Sequence, residues 1–467
     1  MVSLNRGGPP SLHLQIQQSL RRAIREGRLR PGSSVPSTRT LAGDLGVSRG
    51  VVVEAYEQLV AEGYLVASAG SLTRITSSIR ATRVAPPVER PAGPMEFDFR
   101  PGEPDVSSFP RQAWGRAARR AMETLLPRHL GYGNAQGAIE LRLALVDYLA
   151  RVRGVAGAAH QMIICTGAAQ ALSVAARALG ERGVQRMAVE DPGHPDIRRI
   201  VSDAGLLPVP VPVDSDGLNV SLLERADVQA VLVSPAHQNP IGGILSPERR
   251  QQLLTWASRS AAHIIEDDYD AEYRYDRAAV GALQGVAPER VIYIGSASKI
   301  LAPGLRLGWL LMHEPLAEIG IELKRRADNG SPVIEQLTFA SFIAGGELDR
   351  HLRRMRRLYQ SRREALLDAL SSHCPGWIVL GAAAGLHLVA VPPAHVDITV
   401  VVERGAARSV RLYPLSDYAP ADPARRGLIF GYARLSERGI AEAVRRIAAR
   451  RMPTTAGPGS RTVGVRR

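Results

Sequence analysis

Cysteine is scarce: the 467 residues hold only Cys165 and Cys374, far apart along the chain. A disulfide framework is thereby excluded, and a reducing, cytoplasmic setting is expected. Lysine is equally rare. Of 59 basic residues only Lys299 and Lys324 are lysines, and the rest are arginines. A lysine that survives such a bias points to chemistry that arginine cannot supply. No apolar run reaches the ~18 residues of a membrane span, and residues 1–10 lack the charged-then-apolar layout of a signal peptide. No repeat at solenoid spacing is present. Nor is there a His pair at i, i+4 with Glu, or a Cys-x-x-Cys, so no zinc site is expected.

What is present fits a soluble globular protein. Hydrophobic residues make up 45% and charged residues 22%, enough apolar material for a sizeable core, so a wholly disordered chain is excluded. The length suits about three domains, or one large and one small. A formal net charge of +14 suggests a polyanionic partner, nucleic acid before membrane.

Composition divides the chain. Residues 9–76 carry short helical patterns and then a β-like stretch. Residues 77–95 hold Pro86, Pro87, Pro91 and Pro94 with little periodicity and read as a linker. Residues 96–449 alternate short apolar runs with amphipathic helical ones, the mark of α/β architecture. The expected strands include Met162–Thr166, Met187–Val189, Ala230–Ser234, His263–Glu266 and Val291–Gly295. Residues 450–467 read as a basic disordered tail.

In the first region Leu12, Ile16, Leu20 and Ile24 recur at helical spacing, with Gly27 as a stop. Ser37 is placed to cap a helix through Leu45, closed by Gly46. Ser48 is placed to cap another through Leu59 to about Glu62, closed by Gly63. Two short helices around the Gly46-Val47 turn form a helix-turn-helix candidate. Tyr64-Leu65-Val66 and Thr73-Arg74-Ile75, on either side of Ala69-Gly70-Ser71-Leu72, read as a hairpin wing. Residues 1–80 hold ten arginines against five acidic residues. In such a module the helix beginning at Ser48 enters the major groove N-terminus first. Ser48, Arg49 and Gly50 then lie near base edges or phosphates, and Arg39 near the backbone or an adjacent base.

This segment resembles the GntR-type winged helix-turn-helix of bacterial transcription factors. The matching runs are Arg28-Leu29-Arg30-Pro31-Gly32, Val35-Pro36-Ser37-Thr38-Arg39, Leu45-Gly46-Val47-Ser48-Arg49 and Ala55-Tyr56-Glu57-Gln58-Leu59. Val51 stands where the family usually has Thr, and Leu72 where the wing usually has Gly.

In the large region Lys299 sits in Ser296-Ala297-Ser298-Lys299, directly after the strand-like Val291-Ile292-Tyr293-Ile294. Active sites of open α/β sheets lie at such strand ends. Arg306 follows seven residues later. A lysine, two small hydroxyls and an arginine suit a phosphorylated aldehyde cofactor, with the lysine forming a Schiff base and Ser296, Ser298 and Arg306 holding phosphate. Lys324, inside Glu322-Leu323-Lys324-Arg325-Arg326, reads as part of a solvated helical face.

A pyridoxal 5'-phosphate (PLP) site makes further demands. Asp267 offers a carboxylate for the pyridine nitrogen. Tyr269 and Asn239 are placed for the ring's phenolic oxygen. The amides of Ala168 and Ala169, at a helix start after Met162–Cys165, offer a phosphate cradle. His194 is the candidate to cover the ring face. His237 reads as a structural histidine, and the acidic run Glu266–Glu272 could instead hold Mg²⁺ or Ca²⁺, although it lacks the spacing of a calcium loop.

The order phosphate cradle, ring cover, Asn-Pro, Asp, Lys-Arg resembles the fold-type I PLP enzymes of the aminotransferase class I/II family. The resemblance implies that Tyr132, in Gly131-Tyr132-Gly133, reaches the phosphate of a neighbouring subunit, and hence a homodimer with composite sites. His194 replaces the commoner aromatic, and Ala168-Ala169 lack the usual polar side chains. Leu428-Ile429-Phe430 stands where aminotransferases place the arginine for a substrate carboxylate, with Arg425, Arg426 and Arg434 as possible substitutes.

Winged helix, linker and aminotransferase-like domain together resemble the MocR/GabR subfamily of GntR regulators. The resemblance implies a DNA-binding transcription regulator that senses PLP, or a PLP–amine aldimine, and controls vitamin B6 or amine and amino-acid metabolism. It implies chemistry that stops at aldimine exchange or slow half-reactions. The effector is left open between PLP itself and an amine such as γ-aminobutyrate or taurine. The alternative is a PLP-dependent aminotransferase carrying a DNA-binding head.

Overall fold

The computed structural model describes residues 4–67, 72–77, 95–276, 280–422 and 424–448. The expected wing tip at residues 69–71, most of the linker and the basic tail lie outside them. The chain divides into two compact units, residues 1–93 and residues 94–467.

In the first unit α1 (Leu12–Arg25), α2 (Thr38–Leu45) and α3 (Arg49–Ala61) precede a two-stranded antiparallel ribbon, β1 (Leu65–Val66) and β2 (Arg74–Ile75). Ile16, Leu20 and Ile24 of α1 bury one face against Val52, Ala55, Tyr56 and Leu59 of α3, each large apolar side chain contributing ~1.5–3 kcal/mol on burial. Ser37 caps α2 by accepting from the Thr40 amide at 3.1 Å. Gly46 ends it in the left-handed conformation at φ 59°, which only glycine adopts without cost. Ser48 departs from expectation. It occupies the N-cap position of α3, but its hydroxyl makes no capping hydrogen bond, while α3 ends as expected, at Ala61 with Glu62 as its C-cap.

The second unit opens with β3 (Phe97–Asp98), α4 (Arg111–Glu123) and α5 (Ile139–Arg153). Next come β4 (Met162–Cys165), α6 (Ala168–Glu181), β5 (Arg186–Asp191), α7 (Pro195–Asp203), β6 (Leu207–Asp214), β7 (Gly217–Leu218), α8 (Val220–Leu223), β8 (Ala230–Val233), α9 (Pro247–Arg259) and β9 (His263–Asp268). They are followed by β10 (Val291–Ser296), α10 (Ala297–Ile300), β11 (Gly308–Leu311), α11 (Leu316–Asp328), α12 (Val333–Ala344) and α13 (Glu347–His373). The chain then makes a smaller antiparallel sheet from β12 (Ile378–Leu380), β13 (His387–Val391), β15 (Tyr413–Pro414) and β16 (Leu428–Gly431), with α14 (Ile398–Ala406) and α15 (Glu437–Ala448). Between them β14 (Val410–Arg411) pairs with β3.

Among the described residues the main sheet has eight strands in the order β4-β11-β10-β9-β8-β5-β6-β7. The run β10-β9-β8-β5-β6 is parallel, and β11 is antiparallel to both neighbours. Both faces are covered, so strand residues alternate between two cores. Ile292 and Ile294 of β10 join one with α6 and α11, while Tyr293 joins the other with α5 and α12. The alanine-rich face of α6 lets that helix lie close to the sheet. Gly308 of β11 is required at this approach, because a Cβ there would stand 2.6 Å from the Gly167 carbonyl carbon and 3.1 Å from the Ala168 nitrogen.

Lys324 corrects the sequence reading. It is fully buried, its Nζ 2.7 and 2.9 Å from the Asp328 carboxylate oxygens and 3.0 Å from Ser331 Oγ. Its neighbours Arg325 and Arg326 do face outward and pair with Glu322. A charge run thus spans both faces of α11, and an ammonium can point inward where a carboxylate and a hydroxyl receive it.

Candidate functional site

The carboxyl ends of the parallel strands enclose a cavity of about 290 Å³, close to the lower end of the size range of small-molecule sites, ~300 Å³. The structure brings Ala168, Ala169, His194, Asn239, Asp267, Tyr269, Ser296, Ser298, Lys299 and Arg306 to its wall. Most come from the end of a strand or the start of the following helix, while Asn239 comes from the loop after β8 and Arg306 from the turn that leads into β11.

Lys299 projects from α10, whose cap is Ser296, the hydroxyl accepting from the Ser298 amide at 3.0 Å. Gly102 closes over the lysine: a Cβ there would lie 3.5 Å from Nζ. Burial holds the Lys299 amine below its ordinary value, while Asp270, Asp267 and Glu103 pull it back up. Lowering the amine in this way favours its neutral, nucleophilic form.

Asp267 faces the cavity and is half-buried. Burial, reinforced by Asp268, pushes it up to about 7 against the pull of Lys299. Behind it the remaining carboxylates are engaged by protein donors. Asp268 takes Arg153 Nε at 2.7 Å and Tyr293 hydroxyl at 2.6 Å, and Glu266 takes the amides of Leu283 and Gln284 at 3.0 Å each. The acidic run is therefore wired to arginine, tyrosine and backbone.

At the other end of the cavity α6 begins at Ala168 with Gly167 as its cap, at φ 119°. A helix N-terminus presents unpaired amides and favours an anion. The Arg306 guanidinium lies 3.4 Å from where a Gly167 Cβ would stand. Arg306 itself is left-handed, at φ 51°, a conformation that costs a non-glycine residue ~1–3 kcal/mol and clusters at ligand clamps. Asn239 has a buried Oδ1 without a partner. An orphaned acceptor, a carboxyl opposite it, an amine, and an anion cradle with an arginine together fit PLP.

His194 caps α7, its Nδ1 3.3 Å from the Asp196 amide, and its ring meets Tyr418 edge-on at 6.0 Å. Sequence reasoning missed Tyr418 on this wall. It sits in a single 3-10 turn with no periodicity or motif, brought in by the hydrogen bond from the Gly193 amide to its carbonyl at 2.9 Å. Tyr132 is not brought to this cavity. It is 89% exposed and lines a separate one of about 730 Å³ with Asn134, Gly137 and Ser331.

In the first unit Arg39, Ser48, Arg49 and Gly50 are all exposed. Arg49 Nε lies 3.5 Å from Thr38 Oγ1, which joins the start of α3 to the start of α2 on one surface.

The sequence profile of the aminotransferase class I and II family matches residues 98–411, and that of the gntR family of bacterial regulatory proteins matches residues 12–75. The HTH-type pyridoxine biosynthesis transcriptional regulator PdxR of Corynebacterium glutamicum is 36% identical over 440 residues, 92% of this chain and 94% of that protein. The chain is a GntR-type regulator of the MocR kind. The probable rhizopine catabolism regulatory protein MocR of Rhizobium meliloti is 32% identical over 466 residues, 95% of this chain and 94% of its own. The crystal structure of the multiple substrate aminotransferase of Thermococcus profundus superposes with a TM-score of 0.69 at 26% identity, covering 75% of this chain and 90% of that one. This MocR-type chain therefore joins a DNA-binding winged helix-turn-helix to an aminotransferase fold. No helix among the described residues is long and apolar enough to cross a membrane.

Proposed function

We propose that this regulator binds PLP in the 290 Å³ cavity and that PLP itself is the signal that alters its affinity for DNA. The observation that carries the proposal is the half-buried Lys299 amine, which shares the cavity wall with the Asp267 carboxyl and with the anion cradle formed by the α6 N-terminus and Arg306. When bound, PLP supplies an aldehyde that condenses with a primary amine. Lys299 holds the amine, Asp267 carries the charge opposite the ring nitrogen, and Asn239 and Tyr269 offer hydrogen bonds to the phenolic oxygen. Ser296, Ser298, Arg306 and the Ala168 and Ala169 amides hold the phosphate, and His194 covers the ring.

The fate of the three candidate arginines supports PLP over a carboxylate-bearing amine. Arg434 pairs with Glu103 at 2.7 Å, Arg426 donates to the carbonyls of Pro393 and Val396, and Arg425 lines a different surface pocket. Ile429, in the stretch where an arginine would serve a carboxylate, is fully buried against Val389 and Leu415. The name of the pyridoxine biosynthesis regulator, the relative at 36% identity, points the same way.

The working unit is a homodimer in which the exposed Tyr132 of one chain reaches the cavity of a second copy. Leu130 and Ile139, 65% and 45% exposed, add apolar surface to the same region. Arg39, Ser48, Arg49 and Gly50 make the DNA contacts. Coupling between cavity and head requires PLP to favour one of two dimer geometries, ordinarily by ~1–3 kcal/mol.

Added PLP should give the wild-type protein a visible absorption band that folded Lys299→Ala lacks, and an equal band in both proteins would overturn the assignment. The lowered Lys299 amine also favours a second reading, an aminotransferase carrying a DNA-binding head. Steady turnover of an amino donor and a 2-oxo acid would decide for it.

A further inference from the structure

Tyr269 lines the cavity, but the pair of side chains standing behind it does not. Its hydroxyl lies 3.0 Å from Nδ1 of His237, and that same nitrogen lies 2.9 Å from Oδ2 of Asp270. The His237 and Asp270 side chains are each 1% exposed. One ring nitrogen cannot serve both neighbours in the same way. Protonated, Nδ1 donates to the Asp270 carboxylate. Bare, it accepts from Tyr269 and turns its lone pair on a carboxylate oxygen at hydrogen-bond distance.

The other ring nitrogen decides between these states. Nε2 of His237 is buried with no hydrogen-bond partner. The backbone of Gly242 closes on it, since a Cβ there would stand 3.1 Å away. A proton on Nε2 would be a buried donor without an acceptor, which costs ~1–3 kcal/mol. His387, its ring 5.1 Å from that of His237, does not receive such a proton either, since its Nδ1 is likewise buried with no hydrogen-bond partner. Its own Nε2 stands 3.0 Å from the Pro240 carbonyl, and burial keeps the ring neutral by pushing it down to about 3. The proton therefore belongs on Nδ1, facing Asp270. Gly385 fixes the ring in this orientation, because a Cβ at that position would overlap it.

With Nδ1 committed to Asp270, Tyr269 cannot donate back to His237. Tyr269 lines the cavity, so its O–H proton is left for a group bound there. We propose that His237 and Asp270 are positioning residues that hold Tyr269 as a hydrogen-bond donor aimed at the phenolic oxygen of PLP. This inference rests on the PLP reading above and gives His237 a task that its sequence context does not suggest. The logic is that of a carboxylate–histidine pair fixing a tautomer behind a ligand-binding group.

The test uses the full-length protein loaded with PLP, with tryptophan fluorescence as the check of folding. The readouts are the Kd for PLP and the position of the visible absorption band. His237→Leu should weaken PLP binding about tenfold and displace the band in the same direction as Tyr269→Phe does. Because both changes remove one donor, the double variant should bind within about twofold of either single variant. His237→Asn, whose side-chain N–H falls where Nδ1 stands, should remain within about threefold of wild type. His237→Gln, which extends its amide to the Nε2 position where no acceptor lies, should behave as His237→Leu does. If His237→Leu does not fold, the Asn and Gln variants carry the comparison. Additive losses in the double variant, or an Asn variant as weak as the Gln variant, would overturn the positioning role. A wild-type protein without a Lys299-dependent band would overturn the PLP reading itself, and the inference with it.

Discussion

Glu190, at the end of β5, is a carboxyl that the fold holds against its chemistry. It is 7% exposed, and its side chain meets Gln238 Nε2 at 3.3 Å. Burial raises it from the ordinary 4.5 to about 8, against the opposing hydrogen bonds from the Ser234 amide and Gln238. The sign follows from linkage. Below about pH 4.5 the group is protonated in both folded and unfolded chains and contributes no difference. Between 4.5 and 8 the unfolded chain releases the proton while the folded one retains it, so stability falls as pH rises. Above about 8 the penalty is complete. At ~1.4 kcal/mol for each pH unit, the interval amounts to about 5 kcal/mol. Glu190→Gln keeps the shape and the acceptor but cannot ionise. The stability advantage of Glu190→Gln over wild type should therefore grow from near zero at about pH 4.5 to several kcal/mol by about pH 8.5. Urea unfolding without added PLP, followed by tryptophan fluorescence, reads this directly, because Trp114, Trp256, Trp309 and Trp377 all lie in the larger unit. A difference that does not change with pH, or a Gln variant less stable at high pH, would refute the reasoning.

Lys324→Met should cost the larger unit about 1–3 kcal/mol in the same assay. That is less than the full loss of a buried pair, because the Asp328 side chain left behind is 27% exposed. Ser37→Ala should destabilise the head by about 1 kcal/mol, seen as faster amide hydrogen exchange in α2, whereas Ser48→Ala should leave stability nearly unchanged and lower DNA affinity instead. Gly308→Ala should displace the start of α6, at a cost of about 1–3 kcal/mol, and weaken PLP binding, measured by titration of the visible band.

The parts of the site that were legible in the sequence are those tied to strand ends. Lys299, Asn239 and Ala168 each follow an apolar run of four residues and Asp267 follows the shorter Ile264-Ile265, and these runs lie in β10, β8, β4 and β9. Where a residue's role depends on what a distant segment brings to it, the sequence is silent. Lys324 turns inward because Asp328 and Ser331 receive it, and no pattern of charges along α11 encodes that. Tyr418 reaches the His194 ring through a loop-to-loop hydrogen bond. Ser48 has the residue type and position of a cap, yet propensity alone does not make its hydroxyl bond. His237 is of the same class, because its meaning comes from Asp270 and Tyr269 on another strand end.

The central claim is that one cavity senses PLP and one head answers on DNA. The most direct measurement is the affinity of the purified protein for DNA upstream of its own gene, with PLP titrated in and salt held fixed, since phosphate contacts make any affinity salt-dependent. The account predicts specific binding that changes with PLP in the wild type and does not change in Lys299→Ala. Specific binding that is indifferent to PLP, or a Lys299→Ala protein that responds as the wild type does, would contradict it.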